Sequence, residues 1–206
     1  MPQSVPAREF DFAASARRVF ESERDGLAAV AARVDGAFTA ACRRILACRG
    51  RVVCTGMGKS GHIARKIAAT LASTGAPSFF VHPAEASHGD LGMITPADVV
   101  MLLSNSGETA ELKATVVAVK NNGCRLIGVS GNRESWLARN TDAFLYAGVS
   151  SEGGPLNRAP RLSVLAEMLT VQALSVALQV EAGLDPVRYV RCHPGGALGH
   201  LRENEK

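Results

Sequence analysis

Five short stretches, each almost wholly apolar, constrain the fold of this chain more than any other feature. They are 51–55 (RVVCT), 78–81 (SFFV), 99–103 (VVMLL), 125–130 (RLIGVS) and 143–147 (AFLYA). A strand with one wet face alternates apolar and polar residues; a strand buried on both faces does not. Segments of helical character separate these runs at 63–73, 112–120 and 134–139. Strands and helices in alternation predict an α/β fold, a five-stranded parallel sheet with helices on both faces.

In such sheets ligands lie beyond the carboxyl ends of the strands, where the strand order reverses. The segments 56–61, 82–88, 104–111 and 150–154 all fall at such ends and can converge. The most informative is Ser104-Asn105-Ser106-Gly107-Glu108-Thr109-Ala110-Glu111, a hydroxyl-rich turn between strand and helix. The first N–H groups of a helix lack intrahelical partners and carry the positive end of its dipole. Beside them, the hydroxyls of Ser104, Ser106 and Thr109 make a cradle for a phosphate. The plainer reading is that Ser106 or Thr109 only caps the helix.

Gly56-Met57-Gly58-Lys59-Ser60-Gly61 follows the first strand with the spacing G-x-G-x-x-G. A dinucleotide site would need an acidic residue at the end of the second strand, and that strand ends in His82-Pro83. A P-loop needs four residues between its glycines; Gly56 and Gly58 have one. Lys59 therefore stands as a free cation on a strand-to-helix turn, either a ligand to an anion or a solvated surface lysine. The segment 83–92 carries Glu85, His88 and Asp90, which read as capping groups sooner than as a metal site.

Composition narrows the field. The 206 residues carry a formal charge of +4, scattered singly or in pairs, with 5% aromatic residues, so neither a basic tract nor a stacking platform argues for nucleic acid. No continuous apolar run of about 18 residues predicts a membrane span. Five cysteines without a C-x-x-C pair, and an N-terminus with no apolar h-region, point to a reducing, cytoplasmic setting. Residues 1–7 read as an irregular leader. Residues 8–48 read as two helices or one kinked helix interrupted at Gly26 and Gly36, an arm wrapping either its own core or a partner subunit. A long helix is expected over 162–182, with Leu162, Leu165, Leu169, Ala173, Val176 and Val180 as its apolar face. His193 follows on a sharply turned His-Pro-Gly-Gly segment.

Taken together, GMGKSGHIARK (56–66), ASTGAPSFFVHPAEASHGDLGM (72–93), SNSGETAE (104–111) and HPGGALG (193–199) resemble the bacterial D-arabinose-5-phosphate isomerases of the sugar isomerase (SIS) domain family, in matching order and spacing over about residues 15–200. The resemblance implies a Rossmann-like three-layer SIS sandwich over 49–206 behind an N-terminal helical arm, 1–48. It implies a homotetramer with active sites at subunit interfaces, and interconversion of ribulose 5-phosphate and arabinose 5-phosphate for the Kdo sugar of lipopolysaccharide. The catalytic residues implied are Lys59, Glu111, Glu152 and His193. Gly58, Ser60, His88, Ser104, Asn105, Ser106 and Thr109 are expected at the phosphosugar, with no metal, no cofactor, no nucleic acid and no membrane.

Aldose–ketose isomerisation moves a proton between C1 and C2 through an enediol, which carboxylate and imidazole can serve. His193 and Glu152 are expected to handle ring opening and proton transfer, and Lys59 and Glu111 to position substrate. Two departures stand out. Full-length members usually continue into a pair of CBS domains, absent from these 206 residues. A Thr-Ser-Ser-Thr run is replaced by Arg161-Leu162-Ser163-Val164, where Arg161 is either a phosphate ligand or a surface group. A catalytically weak phosphosugar or nucleotide-sugar sensor, and an isomerase of another phosphosugar, are the competing readings.

Overall fold

The computed structural model describes residues 10–205, so the expected leader at 1–7 lies outside the described residues. Five parallel strands, β1 (Val52–Gly56), β2 (Ser78–Phe80), β3 (Val99–Leu103), β4 (Arg125–Ser130) and β5 (Ala143–Tyr146), form one sheet in the order β2-β1-β3-β4-β5. The order reverses between β1 and β3. Gly56 lies opposite Leu103 in their register, so the turns following the two strands leave the sheet at the same height.

Alternate side chains of each strand enter two cores. Val52, Cys54, Val99, Met101, Ile127 and Leu145 join one, with Ile63, Ile67 and Leu71 of α3 (Gly58–Ser73) and Ala166, Val171 and Leu174 of α7 (Leu162–Glu181). Val53, Val100, Leu102 and Leu126 join the other, with Leu112, Val116 and Val119 of α5 (Ala110–Asn121) and Leu137 of α6 (Trp136–Asn140). Helices thus cover both faces. The four-residue α4 (Pro83–Ala86) starts on His82, whose Nδ1 accepts from the Ala84 N–H at 3.3 Å. After α7 comes the short α8 (Pro186–Cys192).

The first helices are α1 (Phe12–Ala31) and α2 (Gly36–Leu46). Both begin on an aspartate cap: Asp11 accepts from the Ala14 N–H at 2.7 Å and Asp35 from Ala37 at 2.9 Å. Val30, Ala41 and Ile45 enter the first core, so part of this arm covers its own sheet. Gly26 does not interrupt α1, contrary to expectation. A Cβ at Gly26 would lie 2.2 Å from Leu162 Cδ2, so the glycine brings α1 close onto α7. Gly36 does mark a boundary, as the first residue of α2.

α7 corrects the sequence reading more deeply. Its buried face is Leu162, Ser163, Ala166, Glu167, Val171, Leu174, Ser175 and Leu178. Of the expected apolar face only Leu162 is buried; Leu169, Ala173, Val176 and Val180 are exposed. The outer stripe is wholly apolar, and the core takes the other, which mixes Leu and Val with small residues and lets α3 approach. By length and composition this helix could also cross a membrane, although no continuous apolar run of about 18 residues occurs in it; here it packs as the core helix against α3 and α1.

Candidate active site

A cleft of about 330 Å³ opens where the strand order reverses. Met57, Lys59 and Ser60 line it from β1 and α3, Leu103 to Ser106 and Thr109 from β3 and the turn before α5, and Pro160, Ser163, Val164 and Glu167 from the start of α7. Helix α3 begins at Gly58, five residues earlier than its apolar pattern indicated, so Lys59 and Ser60 stand on its first turn. Gly58 itself has φ +54°, with open space where a side chain would be, a backbone setting that favours glycine at the cleft rim.

The turn 104–109 is held from several sides. Ser104 N–H donates to Val129 O at 3.0 Å, and Gly107 N–H donates to Ser104 Oγ at 3.1 Å. Ser104 Oγ and Thr109 Oγ1 share a hydrogen bond of 2.9 Å. Thr109 occupies the capping position of α5 but makes no side-chain cap bond, and Ser106 Oγ accepts from Glu108 N–H at 3.2 Å. The plain capping reading therefore fails for Thr109, and the first N–H groups of α5 keep their donors free of a side-chain cap. Glu108 ties the turn to α6 by accepting from Trp136 N–H at 2.7 Å while it meets Lys113 Nζ at 2.5 Å. Gly107, at φ +67°, leaves no space for a Cβ against Ser135 and Ser130.

Of the expected residues, Lys59, Ser60, Ser104, Asn105, Ser106 and Thr109 line the cleft. Glu111, His88, Glu152 and His193 are not brought to it within one chain. Glu111 and His88 are exposed, Glu111 on the first turn of α5 and His88 just past α4. His193 follows α8 and stacks on Tyr189 with ring centroids 4.4 Å apart, its Nδ1 buried without a hydrogen-bond partner. Arg161 lies against Gly154 and does not line the cleft. Among the described residues no group of three metal-ligating side chains occurs.

Glu152 borders a second, smaller pocket that shares Asn105 with the cleft. Its Oε2 accepts from the N–H groups of Arg161 at 2.7 Å and Ser163 at 3.1 Å, so it caps α7, whose own capping residue, Arg161, makes no side-chain cap bond. Burial acts to raise its pKa, but Ser163 and the N–H groups of Arg161 and Leu162 outweigh that and hold the carboxyl below its ordinary value.

A model of the SIS domain matches residues 45–177. The chain belongs to the SIS domain family. Over 193 residues it is 50% identical to the arabinose 5-phosphate isomerase KdsD of Pseudomonas aeruginosa, covering 94% of this chain and 59% of that one. Against KdsD of Escherichia coli it is 47% identical over 199 residues, 95% of this chain and 61% of that one. The chain thus spans about three fifths of the length of these relatives. An Escherichia coli protein solved in complex with arabinose 5-phosphate superposes with a TM-score of 0.87 at 38% identity, covering 91% of this chain and all of that one.

One residue of this SIS domain's cleft escaped the sequence reading. Glu167 is 1% exposed, and neither of its carboxylate oxygens has a hydrogen-bond partner. Burial raises its pKa to about 7, with Ser60 acting to lower it and the charge of Glu152 to raise it further. The signal was present: Glu167 is the one acidic residue inside the apolar interior of α7, four residues after Ser163.

Proposed function

We propose that this SIS domain is an aldose–ketose isomerase interconverting ribulose 5-phosphate and arabinose 5-phosphate through an enediol, serving Kdo and lipopolysaccharide synthesis. The observation that carries this reading is the cleft at the strand reversal, where the hydroxyls of Ser104, Ser106 and Thr109 and the free end of α5 face a site also lined by Lys59. The identity to KdsD proteins supports the choice of sugar. Gly58, Ser60, His88 and Asn105 are assigned to substrate contact in the same reading.

The phosphate sits against the 104–109 turn, with Lys59 balancing its charge. His193 and Glu111 supply proton-transferring and positioning groups, joined by Glu152. The low-lying carboxyl of Glu152, tied to the start of α7, fits a positioning role at neutral pH better than a proton acceptor. No cofactor is required for an isomerisation that only moves protons.

His193, Glu111 and His88 stand away from the cleft of their own chain, and α7 presents Leu169, Val176 and Val180 to the outside. Both observations support a homotetramer in which neighbouring subunits complete each site and cover that stripe. The division into a helical arm, 1–48, and a catalytic domain, 49–206, is supported by a family match that starts at residue 45. Five cysteines held as thiols support a cytoplasmic location, with phosphosugar as partner and neither nucleic acid nor membrane.

The test is turnover of ribulose 5-phosphate by the purified protein beside its His193→Ala variant. Formation of arabinose 5-phosphate by the wild type alone supports the isomerase and the role of His193. Binding of phosphosugar without turnover would favour the second reading, a sensor module, for which the distance of His193 and Glu111 from the cleft is the observation in favour.

A further inference from the structure

Glu167 projects from α7 into a site that otherwise has the character of an anion cradle. It lines the cleft together with Lys59, Ser60, Ser104, Ser106 and Thr109. Every other polar side chain that shapes this wall has a ready chemical purpose toward a phosphate: hydroxyls donate and an ammonium neutralises. A carboxylate does neither. It is also buried with no hydrogen bond formed at either oxygen, and Ser60 alone acts to favour its charged form, which burial and Glu152 outweigh.

The charged and titratable groups around it are few. Lys59 shares the cleft from α3, and Glu152 acts on it from the segment before α7. Ser60 of α3, Leu103 of β3 and Ser104 are neutral. From the arm, Arg33 goes to Gly148 O at 2.5 Å and Arg44 to Asp142 O at 2.8 Å, and α1 meets the start of α7 at Gly26. An arriving dianion adds a second like charge and disfavours the ionised form still more. The form of Glu167 compatible with a bound phosphosugar is the acid, whose O–H donates where the carboxylate would repel.

We propose that Glu167 is a ligand-binding residue of this cleft that meets the phosphosugar as a neutral carboxylic acid and hydrogen-bond donor, so that binding takes up one proton from solvent. This rests on the phosphosugar reading of the site. It separates this chain from a cleft built only of hydroxyls and Lys59: the affinity itself carries a pH dependence. Burial with the charge of Glu152 has already brought the acid to the edge of protonation at neutral pH, and the charge of the bound dianion must then hold its titration well above pH 8.

The experiment uses arabinitol 5-phosphate, which has no carbonyl and is not isomerised. Its binding is followed by titration calorimetry at pH 8 in buffers of different ionisation enthalpy, for the wild type and for Glu167→Gln. About one proton taken up per site is expected in the wild type and none in the variant. The wild-type dissociation constant should rise roughly tenfold per pH unit above pH 7.5, while that of the variant stays nearly flat. Equal uptake in both proteins overturns the proposal, and so does a pH-flat wild-type affinity, which requires no variant to fold. If arabinitol 5-phosphate binds and ribulose 5-phosphate is turned over without proton uptake, only this inference falls. If neither ligand is handled at any pH, the phosphosugar reading falls with it.

Discussion

Glu152 caps a helix that begins ten residues after it: its Oε2 accepts the N–H of Arg161 at 2.7 Å. The carboxylate reaches back from the loop beyond β5 and fastens the start of α7, the end that carries Pro160, Ser163, Val164 and Glu167 into the cleft. A residue expected to move protons is thus also the one that places a wall of the site.

Glu152→Ala should cost about 1 kcal/mol of stability, the usual worth of a lost cap, and loosen the cleft at the same time. The folded carboxyl titrates below its ordinary value, so its contribution is present above the ordinary carboxylate range and is lost as pH falls through the folded value. Denaturant unfolding at pH 7 and pH 3.5 checks this: the gap between wild type and variant should be narrower at the lower pH. A gap that persists unchanged would mean that the cap does not depend on the ionised carboxyl, and no gap at pH 7 would mean that the cap bonds contribute nothing.

Glu167→Gln should act in the opposite direction on the unliganded protein. Its folded pKa, about 7, lies above the ordinary 4.5, so stability is full below the lower figure and declines as pH rises through the higher one. At pH 8 the variant should be more stable than wild type by up to ~3 kcal/mol, and at pH 4.5 the two should nearly coincide. Equal stability at both pH values would show that the buried acid is not strained by ionisation.

Ser104→Ala removes one hydroxyl that bonds both Thr109 and the Gly107 N–H. Stability should fall by ~1–2 kcal/mol, because Ser104 is buried and its partners lose their bond. KM for ribulose 5-phosphate should rise about tenfold, as for one lost charge-assisted bond. A normal KM would place the phosphate away from this turn.

Gly26→Val tests how closely α1 sits on α7. The added carbons meet Leu162, and overpacking of this kind costs typically ~1–3 kcal/mol. Thermal unfolding reads it; Gly36→Val, where nothing lies within 4 Å, is the control expected to leave packing undisturbed.

Replacing Val176 and Val180 by glutamate should leave the fold of the single chain intact, since both side chains are exposed. Light scattering should then show smaller particles than wild type, together with loss of turnover. Unchanged mass would remove the outer stripe of α7 from the subunit interface.

How much of this was legible beforehand follows from burial. β3 and β4 were readable residue for residue, because a strand buried on both faces is a bare apolar run with polar ends. The cradle at 104–109 was readable because strand, hydroxyl turn and helix follow directly in sequence. α7 was not: with apolar residues on nearly every side, periodicity cannot say which stripe is inside, and the wrong one was chosen. Gly26 misled because local propensity registers the lost Cβ and not the Leu162 side chain that needs its space. Glu167 went unnoticed because its significance depends on the cleft that α7 closes, not on its neighbours in sequence.

α1 and α7 meet at Gly26 and Leu162, 136 positions apart, with the whole sheet lying between them in the chain. As the protein is synthesised, every strand of this sheet has emerged before α7 exists, and α1 waits for α7. Until then α3 covers its face of the sheet without α7, and a twenty-residue apolar segment leaves the ribosome with its partners already in place.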